Sequence, residues 1–333
     1  MYPSTSCRYC LHVAYYGTGY IGWQRQQRGI RCIYDQGSVQ EVIEAAVTEV
    51  SGSGQRVNVT GVSRTDAGTH ALYQYGFIRL DSELTMTLIE FKDRVNAKLD
   101  TDRVVVLGVT VPTTSPSRIR SRCKKYIYYL QQGHRPDLKL GKYSWFLGRR
   151  IDIEQIRQAL KFIEGTHDFR PFSKGLSKPM YENISTTRTI ISTKVVVRRN
   201  VDFSLNPKIC GSGKILDSTN SYNDLRSAAD SKVASADAHN EQMMERGEGG
   251  TAVHFICIEI VANGFLRHMV RRIIGTLRPI GEGNQQPVQM QRVLDGSVQP
   301  GPSAPTKGLW LHRTWLTQDE YDVDCAGNLK TAT

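Results

Sequence analysis

The sequence predicts an α+β fold: two ferredoxin-like halves, each ordered β-α-β-β-α-β, joined into one extended antiparallel sheet with helices on one face and a central basic cleft. Three observations predict it. Segments of period-two hydrophobicity and segments of helical periodicity follow one another in the same order twice. A chain of 333 residues has room for two such units. The net charge of +11 lies outside one polar stretch, so the basic surface belongs to the folded part.

In the first half, residues 1–112, a strand is expected over 8–16. A helix follows over 38–50, with Val39, Val42, Ile43, Ala46, Val47 and Val50 on one face. Strands at 57–62 and 72–80 precede a helix at 85–99, apolar at Leu88, Phe91, Val95 and Leu99, and a strand at 103–111. The second half, 113–333, repeats the order without repeating the sequence: strand 124–131, helix 152–164, strands 186–199 and 252–262, helix 265–278 and strand 308–316. Between two of these strands, residues 203–250 hold five Lys/Arg against seven Asp/Glu and only Phe203 and Tyr222 as aromatics. So polar a stretch cannot offset its ordering entropy by burial, and a largely disordered insert is expected.

The pI near 9.3 favours a polyanionic partner. No apolar run approaches the roughly 18 residues that span a bilayer, and a strand expected from residue 8 leaves little room for a leader, so a soluble intracellular protein is expected. Cys7 and Cys10 form a C-x-x-C without a second pair at zinc-ribbon spacing. Neither a metal nor a cofactor is predicted.

The densest chemistry lies in Ser63-Arg64-Thr65-Asp66-Ala67-Gly68-Thr69-His70-Ala71, ahead of a strand-like run. Small residues let a flat ligand approach the backbone, and Gly68 can adopt a positive φ. Arg64 can hold a phosphate or keep a carboxylate ionised. Asp66 can then serve as nucleophile or base, or merely cap a tight turn.

Further along, Tyr15-Tyr16-Gly17 and Gly22-Trp23-Gln24-Arg25-Gln26 put aromatics beside arginine, the means of stacking bases or lining a phosphate track, or simply a glycine turn with core aromatics. Arg118, Arg120, Arg122 and Lys124 alternate, so on a strand they make a one-sided positive stripe that ends at Tyr126. Within 265–278 the apolar stripe leaves Arg267 and Arg271 at i, i+4 on another face, one of them within reach of Asp66. His167 and Asp168 are better explained as loop-closing polar residues than as an acid/base pair.

Taken together and in this order, these segments resemble the TruA family of tRNA pseudouridine synthases. The resemblance rests on Tyr16-Gly17-Thr18, Gly22-Trp23-Gln24-Arg25-Gln26, Arg64-Thr65-Asp66-Ala67-Gly68 and His70-Ala71. It continues through Tyr126 and Tyr128, Gly165-Thr166-His167-Asp168-Phe169, Phe265-Leu266, Met269-Val270-Arg271, Ala304-Pro305 and Gly308-Leu309. It implies Asp66 as the catalytic aspartate, Tyr126 as the ring packing on the target base and Arg271 as the cation pairing with the carboxylate. Arg64, Arg25, Arg118 and Arg267 are expected to engage RNA.

The implied partner is tRNA, with uridines 38 to 40 of the anticodon stem-loop as targets, and the implied assembly is a homodimer. Cytoplasm or nucleus is expected ahead of the mitochondrion. The same reaction on mRNA or rRNA, or a non-catalytic RNA-binding or chaperone role, stays open at this stage. Ser63 stands where the family usually has glycine, Thr69 where it has valine, Ser115 where it has phenylalanine and Lys124 where it commonly has arginine.

Overall fold

Two runs of apolar residues become the central strands of two compact units in the computed structural model, which describes residues 7–26, 36–112, 121–176, 185–199, 201–205 and 254–329. The class is α+β, as the periodicities predict, and strand pairing is mostly antiparallel.

The first unit groups the chain up to Arg120 with Trp310–Thr314. Its strands are β1 (Cys7–Tyr15), β2 (Thr60–Gly61), β3 (His70–Leu80) and β4 (Val104–Thr110), in the order β4-β1-β3 with β2 against β3. That is the order a split βαβ produces. β1 is antiparallel to both neighbours, Leu11 facing Gly76 on one side and Val109 on the other.

Helix α1 (Val39–Ser51) starts where Ser38 and Glu41 close a capping box and stops at Gly52, in the left-handed region at φ 67°. It buries Val39, Ile43, Ala46 and Val47. Helix α2 (Leu88–Asn96) is capped by Thr87 and buries Phe91 and Val95. The Asn96 amide both donates to the Val106 carbonyl (2.9 Å) and accepts from its N–H (2.8 Å), fastening α2 to β4.

The second unit contains β5 (Cys123–Gln132), β6 (Trp145–Leu147), α3 (Ile153–Lys161), β7 (Gly165–Asp168), β8 (Thr187–Arg198) and β9 (His254–Ala262). It continues with α4 (Met269–Gly281), α5 (Gln289–Leu294) and α6 (Gln318–Leu329). Strand order is β5-β9-β8-β7, with β6 parallel to β5. The last strand, β10 (Leu309–Trp315), sets Trp310 and Leu311 parallel to His70 and Ala71 of β3, so the sheet is mixed rather than wholly antiparallel.

Several elements differ from expectation. The strand expected over 57–62 shortens to Thr60–Gly61, although Val57 and Val59 are buried. The helix expected from 265 begins at Met269, because His268 adopts φ 63° and no right-handed turn can run through it. Phe265 and Leu266 therefore precede the helix, and Arg267 is not one turn before Arg271 on it.

The 165–168 segment, expected as a loop, is strand β7, hydrogen-bonded to β8. Residues 203–205, expected within the insert, include two buried side chains, Phe203 and Leu205. Phe203 is buried edge-on to Tyr129 (centroids 4.9 Å) and Phe255 (5.9 Å), and it stacks on Tyr143 (5.5 Å). Burying such a ring stabilises by about 2 kcal/mol. Residues 206–250 of the expected insert lie outside the described residues.

Candidate active site

The Asp66 loop enters from β2 and leaves into β3, and its flanks are buried while its centre is not. Ser63, Thr65, Thr69 and His70 are buried, Asp66 is half-buried and Arg64 is exposed. Gly68, at φ 77°, supplies the left-handed residue that turns the chain, and the Thr69 N–H closes the turn on the Asp66 carbonyl (3.0 Å).

The Tyr16–Trp23 segment packs directly on the loop. Trp23 N donates to the Thr65 carbonyl (3.3 Å) and Gly68 N to the Tyr20 carbonyl (3.3 Å). A Cβ at Gly17 would run into the Thr69 backbone, so the two glycine-rich segments read from the sequence touch through their main chains.

Beneath the loop lies a polar network. The Tyr15 hydroxyl sits 2.8 Å from Thr65 Oγ1, and burial pushes the phenol's pKa up, so the proton stays on. Gln74, fully buried on β3, accepts from Ser63 N (3.2 Å) and Tyr75 N (3.1 Å) and donates to the Ser63 carbonyl (2.5 Å). His70 Nδ1 accepts from Gly17 N (3.2 Å), and its ring stacks on Trp310 at 4.3 Å. Asp66 thus stands on a short, tied segment rather than a swinging arm.

In the second unit Tyr126 is buried on β5, opposite Ile260 of β9, with Phe265 edge-on to its ring at 4.9 Å. Tyr128 shares that face of the strand. Its hydroxyl donates to the Pro305 carbonyl (2.7 Å), and burial raises its pKa although the nearby Arg271 charge opposes this. Arg271, in the first turn of α4, donates from Nε to the Ala304 carbonyl (2.7 Å), while Ala304 N donates to the Arg271 carbonyl (2.9 Å).

The segment before β10 therefore orients this guanidinium. It comes close because Gly275 and Gly301 both lack a Cβ: one added at either would strike the backbone of the other segment.

The remaining expected residues fall differently. Arg25 is committed to structure, bound to the nearly inaccessible Glu44 through Nη2 (2.7 Å) and Nε (3.2 Å). Glu44 also accepts from Val59 N (3.1 Å) and Gln40 Nε2 (2.8 Å). Glu44 is nearly inaccessible, so it needs such partners to offset the loss of its hydration. Arg267 is exposed at the entry to α4, its carbonyl accepting from Lys174 N (3.1 Å). Arg118 lies outside the described residues. His167 and Asp168 close local turns, on the Glu164 carbonyl (2.7 Å) and the Arg170 N–H (2.9 Å) respectively.

The sequence reading missed Gln74 and, although it singled out Ala304, the way residues 301–304 hold Arg271. The signals were a polar residue at a core position of an apolar strand and a glycine inside a helical pattern.

Among the described residues no helix is long and apolar enough to cross a membrane. The family model described as tRNA pseudouridine synthase matches residues 159–314. A protein of Thermoanaerobacter sp. (strain X514) named tRNA pseudouridine synthase A is 28% identical over 302 residues, 90% of this chain and 95% of its own. Its namesake in Thermodesulfovibrio yellowstonii is 26% identical over 305 residues, 91% of this chain and 97% of its own. The protein named tRNA pseudouridine synthase A 2 in Clostridium perfringens is 25% identical over 307 residues, 92% and 98% of the two chains. Matches of this length run through both units, and together with the motifs in their order they make the chain similar to the TruA family of tRNA pseudouridine synthases.

Proposed function

We propose that this enzyme isomerises uridine to pseudouridine in tRNA, at positions 38 to 40 of the anticodon stem-loop, with Asp66 as its catalytic carboxylate. The reaction breaks the N1–C1′ bond, turns the base and joins C5 to C1′; a proton leaves C5 and one is gained at N1. No second substrate is consumed, so one carboxylate suffices. Asp66 either attacks as a nucleophile or takes the C2′ proton to form a glycal, and it, or water under its control, accepts the C5 proton later.

Tyr126 packs on the extruded base and offsets the few kcal/mol that unstacking costs. Arg271 is the cation that pairs with the carboxylate. Arg64, exposed two residues from Asp66, engages the RNA, and a homodimer presents the basic surface to one tRNA.

The observation that supports this reading best is the anchoring of the Asp66 loop. A carboxylate that only capped a turn needs no buried network of Tyr15, Thr65 and Gln74 beneath it, whereas one that must meet a sugar carbon does. The test is pseudouridine mapping on total RNA treated with wild-type protein or Asp66→Ala. Wild type should convert anticodon stem-loop uridines, and the variant should lose at least ~10³-fold in rate while still binding tRNA. Turnover surviving in the variant would remove Asp66 from the chemistry, and conversion confined to mRNA or rRNA would replace the substrate.

A further inference from the structure

We propose that Lys124 and Arg188 form a binding site for one RNA backbone phosphate beside Tyr126, a contact that selects which nucleotide lies against that ring. The inference rests on the reading of the chain as an RNA-modifying enzyme.

Lys124 and Tyr126 stand two residues apart on one face of β5, roughly 7 Å along the strand. Lys124 lies opposite Ala262 of β9, which lies opposite Ile190 of β8. Arg188 is two residues before Ile190, on the same face and at the same end of this sheet. The guanidinium is aimed by its own chain, Nη1 donating to the carbonyls of Ser185 (2.8 Å) and Thr187 (2.7 Å). Among the described residues no carboxylate pairs with Arg188.

The loop between β9 and α4 joins this pair to the candidate base-stacking ring. Asn263 ties it to β8, its N–H on the Thr189 carbonyl (3.1 Å) and its Oδ1 receiving Thr189 N (3.0 Å). Gly264 passes so close to Arg188 that a Cβ would lie 3.3 Å from Nε, and Phe265, the next residue, is the one edge-on to Tyr126. One six-residue loop thus touches both cation and ring.

Lys124 and Arg188 are two cations on one face, and the charge of Arg188 is felt at Lys124. Burial first and Arg188 second hold the Lys124 ammonium at a pKa of about 8. An ammonium and a planar guanidinium on the same sheet face match the several oxygens of a phosphodiester, whose charge offsets their repulsion on binding. Bases carry no such charge, and a phosphate fixed one pleat from Tyr126 sets the register of the strand without reading sequence.

The test is a coupling cycle. Binding of a synthetic anticodon stem-loop is measured by fluorescence anisotropy across salt concentrations. The RNAs carry a single neutral methylphosphonate at successive positions around the target uridines, and the proteins are wild type, Lys124→Met, Arg188→Gln and Arg188→Lys. Each of the first two variants should weaken binding several-fold and lower the salt slope by ~0.7–0.9. One methylphosphonate position should hurt wild type yet leave Arg188→Gln unaffected, and Arg188→Lys should keep the slope.

Independent, additive effects of variant and methylphosphonate at every position would overturn the phosphate site while leaving conversion by wild type intact. Failure of wild type to bind any of the RNAs would overturn both this inference and the function it rests on. Circular dichroism and thermal melting of each variant keep a folding defect from being read as lost contact.

Discussion

At residue 66 the chain places a carboxylate on a loop whose neighbours are tied down, and at residue 126 a phenol ring packed against an aromatic neighbour. Phe265 meets the Tyr126 ring edge-on, which supports a stacking surface. Tyr126→Phe should therefore keep conversion within roughly tenfold of wild type, since the hydroxyl contributes little to stacking. Single-turnover rates on tRNA check this, and a loss as deep as that of Asp66→Ala would assign chemistry to the hydroxyl.

Residue chemistry was legible unevenly. The Arg-Thr-Asp-Ala-Gly run announced its carboxylate, because small residues around one acid are a local pattern. The structural partner of Arg25 was not legible: nothing near it in sequence shows that Glu44, 19 positions on, is buried and pairs with it.

At the scale of elements, helix α4 and the segment before β10 act together. Arg271 is held by Ala304, and Ala304 is held close because Gly275 faces Gly301 without side chains between them. Gly275→Ala should force the two backbones apart at a cost of about 1–3 kcal/mol. It should lower kcat more than it weakens tRNA binding, because the guanidinium shifts while the RNA-facing surface persists. Urea denaturation with parallel kcat and Kd measurements checks this; a stability loss with kcat unchanged would show that the segment does not position Arg271.

Element existence was readable from period because both faces of each amphipathic run are local properties. Element ends were not. α4 loses its expected first turn to the left-handed His268, whose conformation is supported by Ser303, 35 residues away, at 3.1 Å from Nδ1. β7 was hidden because four polar residues carry no hydrophobic alternation and are strand only by pairing with β8.

For the whole molecule, the net charge of +11 makes RNA affinity fall steeply with salt, while stability has a separate acid dependence. In the first unit His12 lies edge-on to Tyr73 and Tyr75, with the Tyr73 hydroxyl 2.9 Å from Nδ1 and Arg313 over the Tyr73 ring at 4.5 Å. Burial first, and the Arg313 charge second, push its pKa down from 6.5 to about 4. Folded His12 therefore binds fewer protons than unfolded His12 between those values. Its contribution is complete above pH 6.5 and is lost as pH falls toward 4. His12→Gln should remove that part of the slope: the stability difference between wild type and variant, from urea melts at pH 7 and pH 4.5, should shrink at the lower pH. An unchanged difference would place the acid sensitivity elsewhere.

By itself the sequence determined the α+β class, the order of strands and helices, the basic surface and the carboxylate loop, because hydrophobic period, charge and small-residue turns are written in neighbouring residues. Only the tertiary structure decided that Gln74 and Tyr15 brace that loop, that Arg25 serves Glu44, that Ala304 aims Arg271 and that Arg188 joins Lys124 beside Tyr126. Those pairings join residues from 11 to 64 positions apart. Which distant side chains meet depends on strand register and helix docking, and those are settled by packing across the sheet rather than by any local stretch of chain.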